Sequence, residues 1–256
     1  MTPGSLFAGS CTHATMKRES RTTCQRLLAS LLVACCLGWA PSWALAAVAH
    51  VQSLKGIVTA RAVDGTTRTL TQNAELFKGD EIATEDHAAV TLLFTDGTRV
   101  TLAKRTRFAI DAYSFRDTAE TEPRDAPEEE TFSGRVCGGI ARFATGLLGK
   151  RRPAGFKVNT AVATIGIRGT FFVCEVQGES ATVVLLEPEV AGAANEIEVS
   201  NSYGSVSISQ AGYGTEIPDA HSPPSPPRPM RIETMTRMLR SVQTIQRVRI
   251  PRAPRR

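Results

Sequence analysis

The feature that most constrains this chain is a series of short apolar and β-branched segments, each ended by turn residues, from residue 51 onward. The clearest unit surrounds Asp96-Gly97, where apolar residues alternate on both sides of a sequence that predicts a two-residue hairpin turn. No amphipathic helices separate these segments, so the pattern predicts an all-β sandwich or jelly-roll-like domain and excludes a parallel α/β sheet. The other predicted strands are 56–63, 67–71, 80–84, 107–112, 155–159, 170–176, 181–186, 196–200 and 205–209.

Residues 1–46 have the pattern of an export signal. A basic stretch precedes the apolar run 27–40, and Ala44-Leu45-Ala46 offers the small residues that a signal peptidase accepts. We expect Met16 to be the initiator, cleavage after Ala46, and a periplasmic or secreted product. Two alternatives remain: Cys35 ends a lipobox and is acylated, or the run stays uncleaved as a membrane anchor.

Two of the six cysteines, Cys137 and Cys174, lie outside this leader. Because an exported chain meets an oxidising compartment, they predict a disulfide. The alternative is two separate buried thiols. Their spacing does not suggest a zinc site, and we expect neither a metal nor a cofactor.

The net charge of +5 is unevenly distributed. Residues 1–46 carry +3 and residues 228–256 carry +8, which leaves −6 on the body between them. A nucleic-acid-binding domain needs basic residues on its folded face, so an acidic body argues against nucleic acid as the partner.

Two segments before the C-terminal tail depart from the strand pattern. Residues 117–130 are acidic and interrupted by proline, which predicts a solvated loop between two halves of the domain. Residues 222–229, with the sequence SPPSPPRP, predict a polyproline spacer.

The basic tail, residues 230–256, follows that spacer. Apolar residues share one helical face, with Arg237, Arg240 and Arg247 on the other. We expect either an amphipathic helix that contacts an anionic membrane surface, or a disordered tail.

The segment from Arg135 to Val176 contains GGIARFATGLLGK and, further on, ATIGIRGT. Together with a Gly-Asp turn, the Asp96-Gly97 hairpin and the closing strands, these strings resemble the FecR-type domain of exported bacterial proteins. The resemblance covers roughly residues 50–217, and we predict a domain over 47–221. Its motif residues in this chain are Gly79, Asp80, Asp96, Gly97, Gly166, Arg168, Gly169 and Thr170.

These motif residues first suggest structural roles. Gly79 and Gly97 permit turns, and Gly166 and Gly169 suggest a kinked strand or a close backbone approach. We expect Arg168 to be an internal strut held by carbonyls or a carboxylate, with ligand binding as the alternative.

No catalytic constellation accompanies the resemblance. The chain lacks a G-x-S-x-G elbow, and residues 146–150 do not complete a phosphate loop. We therefore predict a non-enzymatic binding or scaffold module for an envelope protein or polymer, recognised through sheet edges or strand surface. The alternative is signalling, because the namesakes of the family relay receptor state in iron transport to a sigma factor.

The leader gives a direct prediction. We expect the mature chain to begin at Ala47, because Ala44-Leu45-Ala46 supplies the peptidase site. N-terminal sequencing of protein recovered from the periplasm or medium checks this. An acylated Cys35, or retention of the whole leader in membranes, would contradict it.

Overall fold

The structure is a computed structural model and describes residues 46–116, 130–187 and 195–243. They belong to one compact unit that begins at Ala46. Short strands and two helices make up its regular structure. The strands are β1 Ala49–Lys55, β2 Val58–Arg61, β3 Thr67–Thr69, β4 Glu75–Leu76, β5 Glu81–Thr84, β6 Ala89–Phe94, β7 Arg99–Leu102, β8 Arg107–Ser114, β9 Thr131–Ala144, β10 Phe156–Asn159, β11 Thr164–Arg168, β12 Phe171–Gln177, β13 Ser180–Leu185, β14 Glu196–Asn201, β15 Gly204–Ile208, β16 Tyr213–Ile217 and β17 Arg228–Pro229, and the helices are α1 Leu147–Arg151 and α2 Ile232–Gln243.

Two sheets share one strand. Sheet A runs β4-β1-β6-β7-β9-β12-β13-β16-β17. Sheet B runs β3-β2-β5-β8-β9-β10-β11-β14-β15. Every pairing is antiparallel except that of β9 with β10. In each sheet, the strands that come from β1–β8 therefore lie on one side of β9, and those that come from β10–β17 lie on the other.

Strand β9 passes from sheet B into sheet A at a pair of glycines. Its first part pairs with β8 and β10, and its last six residues pair with β12 from Gly139 onward. The register shifts at Cys137, which is bulged out of the ladder with β8. Gly139 has φ +90°, and a Cβ there would lie 2.4 Å from Thr106 Oγ1. Only glycine permits this backbone at such close approach.

The core lies between the sheets and is centred on two phenylalanines of β9. Phe132 stacks on Phe156 with ring centroids 4.1 Å apart, and Phe143 stacks on Phe172 at 4.8 Å. Each also meets a ring from the opposite sheet edge-on: Phe94 meets Phe132 at 5.0 Å, and Phe108 meets Phe143 at 6.0 Å. All are almost completely buried. Aromatic pairs of this kind contribute about 0.5–1.5 kcal/mol each beyond the area they bury.

The predicted all-β sandwich is confirmed. Each predicted strand corresponds to an observed one within a few residues, whereas β9, the longest strand, was not predicted. Its glycines and arginines interrupt the alternation that marks a strand, and the alternation changes phase within it. Residues 132, 134 and 136 are buried before the bulge, and residues 141 and 143 after it.

The hairpin between β6 and β7 differs in detail from the prediction. Gly97 has φ +84°, as expected, but Asp96 does not share its positive φ. The Phe94 N–H donates to Thr98 O (2.9 Å), which leaves three residues in the loop. The prediction of a two-residue turn is therefore wrong. In the longer loop the Asp96 side chain is turned inward and buried.

The segment predicted as a spacer lies on the domain instead. Ser225 N–H donates to Glu216 O (3.0 Å), Thr215 Oγ1 donates to Ser225 O (2.7 Å), and β17 pairs with β16 at the sheet edge. Prolines are tolerated there because an edge strand needs few N–H donors. The spacer does not hold the tail away from the domain.

The described part of the tail is helical and docked. Met238 and Val242 of α2 are buried, and the helix packs against β9 and β12. Arg237, expected on a free polar face, donates to both carboxylate oxygens of Glu175 (2.9 and 2.7 Å). Membrane contact stays a prediction for Arg240, which has an interaction of its own, and for Arg247, which lies outside the described residues.

The predicted disulfide is absent from the structure. Cys137 and Cys174 are both free thiols. Cys174 on β12 faces Ala141 across the ladder, four residues further along β9 than Cys137, so the two side chains cannot meet. The alternative of two separate thiols fits, with Cys174 fully buried and Cys137 half-buried.

The leader (1–45) and the acidic loop (117–129) lie outside the described residues. Within the described ranges, no helix has both the length and the apolar character needed to cross a membrane.

The thiols give a test of the register. Burial raises the pKa of Cys174 to about 12, so almost no thiolate exists at neutral pH. We expect Cys174 to resist a maleimide in the native chain without reductant, and both thiols to react after unfolding in guanidinium. Peptide mapping by mass spectrometry checks this. Recovery of a peptide linking Cys137 to Cys174 would contradict the structure.

Candidate functional site

The motif residues fall into separate places, and the first is the Gly79-Asp80 turn before β5. Asp80 is buried, and its carboxylate accepts hydrogen bonds from Arg68 (2.5 and 3.2 Å) and from Phe77 N–H (2.9 Å). Gly79 has φ +89°. The ion pair of Arg68 with Asp80 closes a loop onto the sandwich, and neither carboxylate oxygen of Asp80 is turned toward solvent.

The second place is a buried network around Asp96. Its carboxylate accepts from Thr98 Oγ1 (2.6 Å), from Thr98 N–H (3.1 Å) and from Leu148 N–H (3.3 Å), while Tyr113 donates its hydroxyl at 3.2 Å. Burial raises the pKa of Tyr113, so its hydroxyl stays protonated. The network joins the β6–β7 hairpin to the start of α1.

Thr170 belongs to the same junction. Its N–H donates to Thr145 Oγ1 (2.9 Å), and Thr145 Oγ1 donates to Thr170 O (3.1 Å). Thr170 Oγ1 in turn donates to Asn195 Oδ1 (2.9 Å), and Gly169 before it has φ +65°. Asp96 and Thr170 thus hold the two sides of residues 145–148, directly after β9, and have structural roles.

Gly166 and Arg168 lie elsewhere, on the outer face of sheet B. There β10, β11 and β14 form a groove that encloses about 710 Å3, within the range of ligand sites. Ile165 and Ile167 point into the core, so Thr164, Gly166 and Arg168 point outward. The residues that line the groove are Pro153, Ala154, Phe156, Lys157, Thr164, Gly166, Ile167, Arg168, Glu196, Glu198 and Ser200.

Gly166 forms the floor of this groove without any steric need for glycine. It pairs regularly with Lys157 on β10 and with Glu198 on β14. A Cβ would find only Glu198 O, at 3.9 Å, which is ordinary contact. The predicted kink or close approach is therefore wrong at Gly166, although Gly169 does make a turn. A strand glycine that the backbone does not require indicates space kept for another molecule.

Charges of both signs flank the floor. Lys157 lies on one side and Glu198 on the other, and neither has an ion-pair partner among residues 46–116, 130–187 and 195–243. Arg168 is 72% exposed, and its Nε lies 3.9 Å from Glu196 Oε2. Ser207 donates a hydrogen bond to Glu196. The groove offers two cations and two carboxylates in fixed positions on a rigid sheet.

The internal strut predicted for Arg168 is wrong, because its guanidinium is in solvent. The prediction took the glycines as signs of a bend, whereas β11 is a regular strand with alternating faces. The same period of two was the signal that could have identified Glu196 and Glu198, which alternate with the buried Ile197 and Val199.

The groove combines charged and hydroxyl side chains on one sheet face. No group of three or more His, Cys, Asp or Glu residues in the described part of the chain is placed to hold a metal ion. The groove instead presents charged side chains of both signs and the hydroxyl groups of Thr164 and Ser200.

These observations define a class, a two-sheet β-sandwich with a charged surface groove. Residues 80–191 match the family described as FecR protein. This match confirms, over residues 80–191, the resemblance that the sequence predicted. This family is not an enzyme class. The match covers the central part of the sandwich, from β5 to the residues beyond β13.

Structural comparison gives weaker likenesses. Two crystal structures from Parabacteroides distasonis, of a protein whose description proposes an anti-sigma factor, are 16% identical over 62% of this chain, with TM-scores of 0.43. The chain spans 63% and 64% of their lengths. A structure described as a cell surface anchoring domain is 29% identical over 24% of this chain and 82% of its own, with a TM-score of 0.24. No curated protein is similar in sequence.

Two glycines with opposite surroundings test this assignment of roles. We expect Gly139→Ala to destabilise the fold by about 3 kcal/mol, through backbone strain and the clash with Thr106. Gly166→Ala should be neutral or stabilise by up to about 1 kcal/mol, since alanine restricts the unfolded chain. Urea unfolding of both variants measures this. Equal losses of stability would show that Gly166 is a structural glycine.

Proposed function

We propose that this protein is an exported, non-enzymatic FecR-domain module of the bacterial cell envelope that binds an extended polypeptide in the groove over Gly166. The single observation that carries the proposal is the floor of that groove. A glycine lies in a regular strand where the fold does not require one, between Lys157 and Glu198, which have no ion-pair partner in the described part of the chain.

A polypeptide fits this groove for reasons of shape and charge. The floor is a sheet surface whose cross-strand neighbours are small or polar, such as Thr164 and Ser200. Cations and carboxylates stand on it together, so a ligand with side chains of both signs is favoured over a uniformly charged polymer. A nucleic acid would place its phosphates against Glu196 and Glu198, at an electrostatic cost.

Export is supported by the point where the compact unit begins. Val48 is the first buried residue that the structure describes, and its N–H donates to Leu76 O (2.9 Å). Cleavage after Ala46 would therefore keep every buried residue that the structure describes. The envelope location, the disposal of the leader and the domain bounds 47–221 belong to this proposal.

A second candidate function is FecR-type regulation, in which the domain relays an envelope signal toward a sigma factor. The family match over residues 80–191 favours it. In that case the polypeptide in the groove would be part of a signalling protein. The two candidates share the binding step and differ in the identity of the partner.

The binding step is tested by photo-crosslinking in intact cells. A benzophenone amino acid at Ser200, which lines the groove, should give a discrete adduct with one polypeptide. The same amino acid at Arg61, exposed on β2 of the same sheet, should not give it. Mass spectrometry of the adduct then separates a signalling partner from a structural one.

Two variants make the test specific. Gly166→Val should abolish the Ser200 adduct, because its side chain fills the groove while β-branched residues suit a strand. Lys157→Glu should weaken it through charge, whereas Arg61→Glu, with the same change of charge elsewhere on the sheet, should not. An adduct equally strong in Gly166→Val would refute binding at this groove.

A further inference from the structure

A second surface of the molecule is apolar on the side of sheet A that faces away from the core. On β12, Phe172 and Cys174 point into the core, whereas Phe171, Val173 and Glu175 point to the opposite side. Val184 and Leu186 extend this outer surface on and beyond β13. An outer sheet face of this composition needs a cover, because sheets usually leave that face polar. We call Phe171, Val173, Glu175, Val184 and Leu186 the helix site.

The cover is α2, and one ion pair fixes its position. The Glu175 side chain is only 8% exposed, and Arg237 donates to both of its oxygens, at 2.9 and 2.7 Å. Gln177 Nε2 donates to the same carboxylate (2.7 Å). A bidentate guanidinium pair has strict geometry, and a buried carboxylate needs such a partner. Glu175 therefore selects a helix that carries an arginine at this position.

The apolar part of the contact is thin and rich in methionine. Along α2, Met235, Met238 and Leu239 pack on the site, and Val242 lies one turn after Met238 on the same side of the helix. Of these four residues, only Met238 and Val242 are buried. Three of the five methionines in the chain, at positions 230, 235 and 238, lie at this contact. Methionine is flexible and polarizable, and surfaces built from it accept different helices.

The helix also has little stability of its own. It comprises 12 residues, and Ile232 in its first turn is 78% exposed. Isolated helices of this length are marginal in water, so α2 is helical because it is docked. A short segment whose described contacts include the Arg237 ion pair and the buried side chains of Met238 and Val242 can leave the surface without unfolding the sandwich.

We propose that the helix site is a docking surface for an amphipathic helix bearing an arginine, which α2 occupies in cis and a partner helix of the same pattern occupies in trans. The pattern is Met, Leu or Val at the positions of Met235, Met238, Leu239 and Val242, with arginine at the position of Arg237. This surface lies on sheet A, so it is independent of the groove on sheet B.

A labelled peptide of residues 228–243 is the probe, and the full-length chain is the receptor. In Arg237→Ala the chain's own helix loses its ion pair and leaves the site free more often, while Glu175 is intact. We expect this variant to bind the peptide at least about tenfold more tightly than the unaltered chain, because occupancy in cis lowers apparent affinity. Fluorescence anisotropy measures it. A peptide with the same Arg237→Ala change should bind weakly.

Arg228→Ala is the matched control. It removes an exposed ion pair with Glu216 from the same segment, outside the helix, and should leave peptide binding as in the unaltered chain. Glu175→Gln should not bind the peptide even when combined with Arg237→Ala. Equal peptide binding by all these chains, or none by Arg237→Ala, would overturn the proposal.

Hydrogen exchange on the unaltered chain tests the same idea without any variant. We expect the amides of α2 to exchange at least about tenfold faster than those of β12 and β13, since the helix opens while the sheet stays closed. Exchange of α2 and the two strands at one common rate would show that the helix is a fixed part of the core and would refute a docking surface.

Discussion

The fold depends on one strand being able to belong to two sheets. Strand β9 pairs with β8 and β10 in sheet B and with β7 and β12 in sheet A, so both halves of the domain meet on it. The passage requires the positive φ of Gly139, where Thr106 would clash with any side chain. Phe132 and Phe143 then lie on the two parts of the strand and bring the rings of both sheets together. Without this crossing the aromatic core would have no common centre.

The crossing also decides where the groove can form. The end of β9 is held by Asp96 on one side and by the Thr145–Thr170 pair on the other. Thr170 is the second residue after β11, so the strand that carries Gly166 is fixed at its far end by the same junction. Because the motif residues in this junction are buried and satisfied, they keep the sheet rigid, and the outward residues of β11 are available for binding. The buried and the outward-facing residues thereby alternate within one short string of sequence.

The sequence supports prediction wherever its pattern is local. Alternation located most of the strands, and the FecR resemblance identified the domain, because both depend on neighbouring residues. Strand β9 was not predicted because the bulge at Cys137 shifts its alternation. The expected bridge between Cys137 and Cys174 failed because Cys174 pairs with Ala141, and the register of two distant strands cannot be read from local sequence. The groove was not predicted because Lys157 and Glu198 are far apart in sequence. They flank the same floor only because β11 pairs with both of their strands. Gly166 in the string ATIGIRGT suggested a bend, although a regular strand was equally compatible with a glycine there.

The charge distribution has a different meaning once the tail is seen to be docked. An acidic body of −6 and a basic segment of +8 suggested two separate parts, one of them free to meet an anionic surface. Two arginines of the basic segment 228–256 instead neutralise carboxylates of the sandwich, Arg228 with Glu216 and Arg237 with Glu175. The first pair is exposed and contributes little, but the second involves a carboxylate that is almost buried. If α2 left and nothing replaced it, Glu175 would lose its ion pair and be exposed to solvent on the outer face of sheet A, whereas a new helix in this place would bury it again. The opposite charges of body and tail are therefore partly one internal interaction, and whatever displaces the helix must bring a cation of its own.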